Sequence, residues 1–220
     1  MKVRVKICCI SSLEEARLAI SYGASAIGLV SAMPSGPGPI PEELITEIAA
    51  TIPPGVSSFL LTSKQDAASI IEQQRRTRVN ALQLADAVPL ETYRDLRREL
   101  PGIALVQVVH VTGDQAIGEA QRVAPYVNAV LLDSGNPSLA VKELGGTGRT
   151  HDWRISRRIR DEVEVPIFLA GGLRAENVTD AIRLVKPYAV DVCSGVRTNG
   201  PLDQRKLRRF FDQVESATEP

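Results

Sequence analysis

The chain has 220 residues, 44% of them hydrophobic and 24% charged, an ordinary globular composition. Its 26 basic and 26 acidic residues cancel, which argues against nucleic acid or an anionic membrane as a partner, so any anion site has to be local. No apolar stretch is long enough to span a bilayer, and "MKVRVKICC" lacks the apolar core and cleavage site of a secretory signal; a cytoplasmic protein is expected. Three cysteines (Cys8, Cys9 and Cys193) without a C-x-x-C pair imply neither a disulfide framework nor a zinc site, and two histidines (His110 and His151) are too few for a metal cluster.

The chain then alternates from end to end. "VRVKIC" reads as a first strand and "SLEEARLAISYG" as its helix, with Ser12 and Glu15 spaced as a capping box and Gly23 placed to end it. "SAIGLVS" is the second strand, and Pro41 opens the helix "PEELITEIAATI". Three further pairs follow: "VSSFLLT" with "DAASIIEQQRR", "VNALQLA" with "LETYRDLRREL", and "IALVQVVHV" with "DQAIGEAQRVA". The sixth strand, "VNAVLLD", is separated from the helix "WRISRRIRDEV" by a long Gly-rich stretch. "VPIFLAGG" with "AENVTDAIRLV" and "YAVDVCSG" with "DQRKLRRFFDQVE" complete eight units.

Strands that are almost continuously apolar are buried on both faces, as in parallel β/α proteins. An open doubly wound sheet is the competing architecture. The count of eight favours a closed (β/α)₈ TIM barrel with short loops, and the lack of any linker favours one domain over residues 1–220.

In such a barrel the site lies at the C-terminal ends of the strands. Those ends carry Cys8 and Cys9, Gln83, His110, Asp133, Gly171 and Gly172, and Asp191, Ser194 and Gly195. A thiol and a carboxylate facing one pocket form a base and acid pair. Each also has a bland reading: Cys8 as core packing, Asp133 as a turn cap, His110 as a strand-end hydrogen-bonder. Strand alternation turns adjacent cysteines to opposite faces, so Cys8 is expected in the mouth and Cys9 between strand and helices. "AGGL" and "CSGV", after strands seven and eight, leave backbone amides free for a phosphate. "ELGGTGRTHDW" reads as a mobile loop over the mouth, and without Gly-Lys-Ser/Thr it is not a P-loop.

"VKIC", "LLDS", "GGTG" followed by "DW", "LAGGL" followed by "ENV", and "VDVCSGV" occur in this order along nearly the whole chain. The ordered set resembles the phosphoribosylanthranilate isomerase family of tryptophan biosynthesis. The resemblance implies an Amadori rearrangement of an N-phosphoribosyl anthranilate aminoaldose to the carboxyphenylamino deoxyribulose phosphate, with no metal or organic cofactor. It implies Cys8 as the general base at sugar C2′ and Asp133 as the acid that opens the ring. Gly171, Gly172, Ser194 and Gly195 would hold the substrate phosphate. Gln83, His110, Asp191 and Arg197 are further pocket candidates, and the oligomeric state is left open.

The sequence departs from the family pattern at several points. Cys9 and Ser11 stand where "KICGIT" has glycine and threonine, and Ala85 stands for the histidine of "QLHG". "SAMPSGPGPIP" holds no arginine or lysine where the family has "SPR" or "SKR", whose arginine meets the anthranilate carboxylate. "SSGVE" becomes "CSGVR", and "FDW" becomes "HDW". The changes gather on the aromatic half of the expected pocket. Arg197, His110 or His151 are the expected replacements for the missing cation. An isomerase of another N-substituted phosphosugar, and a non-catalytic phosphometabolite-binding barrel, are the alternatives.

Overall fold

The computed structural model describes residues 2–218. Eight parallel strands close a barrel in chain order, β1 (Arg4–Ile7), β2 (Ala26–Val30), β3 (Ser57–Thr62), β4 (Ala81–Leu84), β5 (Ala104–His110), β6 (Ala129–Asp133), β7 (Ile167–Leu169) and β8 (Ala189–Val192), with β1 against β8. Each is followed by a helix: α1 (Leu13–Ser21), α2 (Glu42–Ala50), α3 (Ala67–Thr77), α4 (Leu90–Glu99), α5 (Gln115–Val123), α6 (Trp153–Glu162), α7 (Val178–Val185) and α8 (Gln204–Thr218). No helix among the described residues is long and apolar enough to cross a membrane.

Alternation along the strands separates two cores. Residues such as Ile7, Ile27, Leu60, Leu82, Val109, Leu132, Leu169 and Val190 point outward and pack against the helices. Ala26, Phe59, Ala81, Val106, Leu131, Phe168 and Ala189 point inward and fill the barrel. The inward series continues up the strands to the mouth, where it ends on polar residues in β4, β6 and β8 and on apolar ones in β2, β3 and β7.

Local signals set most element ends. Ser12 caps α1 by accepting from the Glu15 N–H at 3.1 Å. The Glu15 carboxylate does not return to the cap residue but accepts from the Ser11 N–H at 3.0 Å, because it also serves Arg197. Gly23 ends α1 at φ +99°, which only glycine adopts without strain. Two elements are shorter than their sequence patterns. β7 stops at Leu169, and Gly171 and Gly172 leave the sheet at φ +84° and +59°. α7 starts at Val178, because Asn177 turns its side chain back onto the Arg174 N–H and the Gly172 carbonyl.

Candidate active site

A cavity of about 700 Å³, counting space open to solvent, lies at the C-terminal end of the barrel, a volume suited to a small molecule. Cys8, Asp133, Asp191 and Gln83 line its floor. All four continue the inward series of their strands: Lys6 to Cys8, Leu131 to Asp133, Ala189 to Asp191 and Ala81 to Gln83.

Beneath Cys8, the fully buried Lys6 ammonium donates to Asp191 Oδ2 at 2.8 Å. Burial opposes its charge, yet Asp191 beside it holds Lys6 above its ordinary range. A methyl at Gly28 would lie 2.9 Å from Cys8 Sγ and 3.0 Å from Lys6 Nζ, so glycine on β2 leaves room for both groups. Lys6 thus puts a buried positive charge close to Cys8. Asp191 Oδ1 and Gln83 Oε1 are buried without a protein partner, on residues that line the cavity; such acceptors suit sugar hydroxyls.

Asp133 stands at the end of β6. Burial pushes its carboxyl above the usual carboxylate range, against the Ser134 N–H that donates to Oδ1 at 2.7 Å. A proton is therefore retained closer to neutrality than on a surface aspartate, as a general acid requires.

One end of the cavity is built from the loops after β7 and β8. Among the described residues the N–H groups of Gly171, Gly172, Ser194 and Gly195 meet no backbone carbonyl. Gly172 packs so closely on Arg149 and Gly148 of the β6–α6 loop that a Cβ would fall 2.6–2.8 Å from their backbone atoms. A second hollow beside this end adds Arg174, Lys206 and Arg209. The opposite end is apolar, with Val30, Met33, Leu61 and Leu144. Two loops roof it: Ser35 donates to the Lys142 carbonyl at 2.6 Å, and Lys142 reaches Asp86 at 2.5 Å.

Three expectations need correction. Arg197 does not reach into the mouth. Its guanidinium pairs with Glu15 at 2.8 Å and donates to the Cys9 carbonyl at 2.5 Å, tying the β8–α8 segment to the end of β1. His110 does not line the cavity, because its Nε2 lies 3.1 Å from the Ala85 carbonyl and Gly135 covers its ring. Nor does Cys9 pack outside the strand. It has φ +60°, the strand has already ended, and its thiol turns to the cavity beside Cys193. His151, the third proposed cation, bonds Ser156 at 2.7 Å, and burial lowers its pKa to about 4.

Several lining residues went unnoticed in the sequence. Cys193 follows Ala189 and Asp191 in the inward series, so alternation could have found it. Ser35 comes from the β2–α2 loop, whose course no local pattern gives; Leu144, Gly145 and Thr147 lie in "ELGGTGRTHDW", the loop expected over the mouth.

A closed (β/α)₈ barrel with Gly-rich loops after β7 and β8, and a thiol and a carboxyl on one cavity floor, has the architecture of a TIM-barrel enzyme. Residues 5–213 match the family model for N-(5'phosphoribosyl)anthranilate (PRA) isomerase. The N-(5'-phosphoribosyl)anthranilate isomerase of Methanosarcina acetivorans is 34% identical over 228 residues, covering 97% of this chain and 94% of that protein. The crystal structure of phosphoribosyl anthranilate isomerase from Thermotoga maritima superposes with a TM-score of 0.83 at 31% identity, covering 97% of this chain and 99% of that one. A crystal structure of such an isomerase with reduced 1-(o-carboxyphenylamino)-1-deoxyribulose 5-phosphate gives 0.81 at 29% identity, with the same coverage. The chain belongs to the N-(5'-phosphoribosyl)anthranilate isomerase family, whose activity in tryptophan biosynthesis it shares.

Proposed function

We propose that the isomerisation of N-(5'-phosphoribosyl)anthranilate is carried out here by Cys8 as base and Asp133 as acid. The phosphate is held by the amides of Gly171, Gly172, Ser194 and Gly195, with the anthranilate ring among Val30, Met33, Leu61 and Leu144. Asp133 protonates the furanose oxygen as its bond to C1′ breaks, leaving an iminium between C1′ and the anthranilate nitrogen. Cys8 thiolate then removes the C2′ proton, and the electron pair flows through C1′ to nitrogen to give an enolamine. Ketonisation at C2′, with a proton gained at C1′, yields the product. Asp191 Oδ1 and Gln83 Oε1 accept from the sugar hydroxyls.

The observation that carries this reading is the joint lining of one cavity by Cys8 and Asp133, between the amide-rich loops and the apolar end. The reduced product analogue held by the related isomerase has the same three parts: phosphate, sugar carbons and carboxyphenyl ring. The test is the fluorescence of the anthranilate-linked substrate with purified protein. Rapid decay, with formation of the ketose, is expected. A preparation that is folded and binds phosphate but leaves the substrate unchanged would contradict the assignment.

A further inference from the structure

All three cysteines of the chain meet at one cavity, and only one is used by the proposed chemistry. Cys9 Sγ and Cys193 Sγ lie 2.7 Å apart, and Cys9 donates to the Pro37 carbonyl at 3.7 Å. The backbone permits a covalent link. Ile7 is in register with Val192, and the Cys8 N–H donates to the Val192 carbonyl at 2.8 Å, which sets Cys193 level with the end of β1. Neighbouring strands run about 4.8 Å apart, and disulfides span Cα separations of about 4.4–6.8 Å. Cys193 is partly open to the cavity.

We propose that Cys9 and Cys193 form a redox-active dithiol, oxidised by peroxide to a disulfide that straps β1 to β8 across the active site. Cys193 thiolate attacks a peroxide oxygen, the O–O bond breaks, and hydroxide leaves as water to give Cys193 sulfenic acid. Cys9 sulfur attacks the sulfenic sulfur, the S–O bond breaks, and a second water leaves with the Cys9 proton. Two thiols and one hydrogen peroxide become one disulfide and two waters. Hydrogen bonding to Cys9 holds the Cys193 thiol below its usual range, with Arg197 adding to the effect and burial opposing it, which suits Cys193 to the first attack. The linked residues adjoin Cys8 on one side and Ser194 on the other. A bond drawn between them shifts the base and a phosphate donor together, and catalytic geometry tolerates little displacement.

The activity arm rests on Cys8 being the base; the thiol arm does not. Protein treated with hydrogen peroxide is blocked with N-ethylmaleimide and read by intact and peptide mass, with turnover followed in parallel. Expected are a fall from three free thiols to one, a Cys9–Cys193 linked peptide, and a loss of turnover of at least about tenfold in step with it. Dithiothreitol restores both, and Cys193→Ser and Cys193→Ala lose the reversible phase. Three results would overturn the proposal: a Cys8–Cys9 link, irreversible inactivation that follows oxygen addition at Cys8, or full turnover with the Cys9–Cys193 link in place.

Discussion

Lys6 has no exposed surface, and Asp191 at 2.8 Å is what allows it to stay charged there. An ion pair so buried gains little net stability, but removing one partner leaves an uncompensated charge. Lys6→Met should therefore cost about 3–5 kcal/mol in urea unfolding. Turnover should also fall, because the positive charge beneath Cys8 is lost. A variant as stable as the parent would mean that Asp191 is protonated rather than paired. The placement of Cys8, Gln83, Asp133 and Asp191 at the strand ends was legible in the sequence, since each is reached by counting in twos along a strand. Cys9 was not. Its thiol faces the cavity because φ is +60°, a turn out of the strand that alternation cannot foresee.

At the scale of elements, the order and type of all eight units were readable from apolar runs and caps, and so was the Gly-rich β6–α6 loop over the mouth, whereas the partners of single loop side chains were not. Arg197 shows why. It follows the β8 turn in sequence and so looked free to enter the mouth, but Glu15, near the start of α1, lies closer in space and takes its guanidinium. The start of α6 carries a testable case of the same kind. His151 precedes Trp153, its Nε2 is satisfied by Ser156, and its Nδ1 is buried without a partner. Burial lowers its pKa from 6.5 to about 4. A lowered base contributes stability that is present above its unfolded value and lost as pH falls through the window from 6.5 towards 4. The loss reaches at most about 3 kcal/mol. Urea midpoints from pH 7 to 4.5 should fall more steeply for the parent than for His151→Phe; parallel curves would show that His151 is not held neutral.

For the whole molecule, closure of the barrel brings together residues separated by most of the chain, and the cavity's polarity runs from the amides of β7 and β8 to the apolar wall of β2 and β3. Among the described residues no arginine or lysine lines that cavity. In the proposed complex the anthranilate carboxylate is left to backbone amides of the β2–α2 loop, because the Ser35 hydroxyl already donates to the Lys142 carbonyl. A charge-assisted contact contributes about 1.5–3 kcal/mol. Without one, the protein should prefer the anthranilate substrate to its analogue lacking the carboxylate by less than about tenfold in kcat/KM. A preference of a hundredfold or more would place a cation at the carboxylate during binding. The division of labour between Cys8 and Asp133 is decided by kcat and reduced-product binding measured side by side on Cys8→Ser and Asp133→Asn. Acid–base groups contribute about 10²–10⁴-fold, so kcat should fall by that much in each variant while the reduced product analogue binds within a few-fold of the parent. Turnover near the parent rate in either variant, with binding intact, would remove that residue from the chemistry.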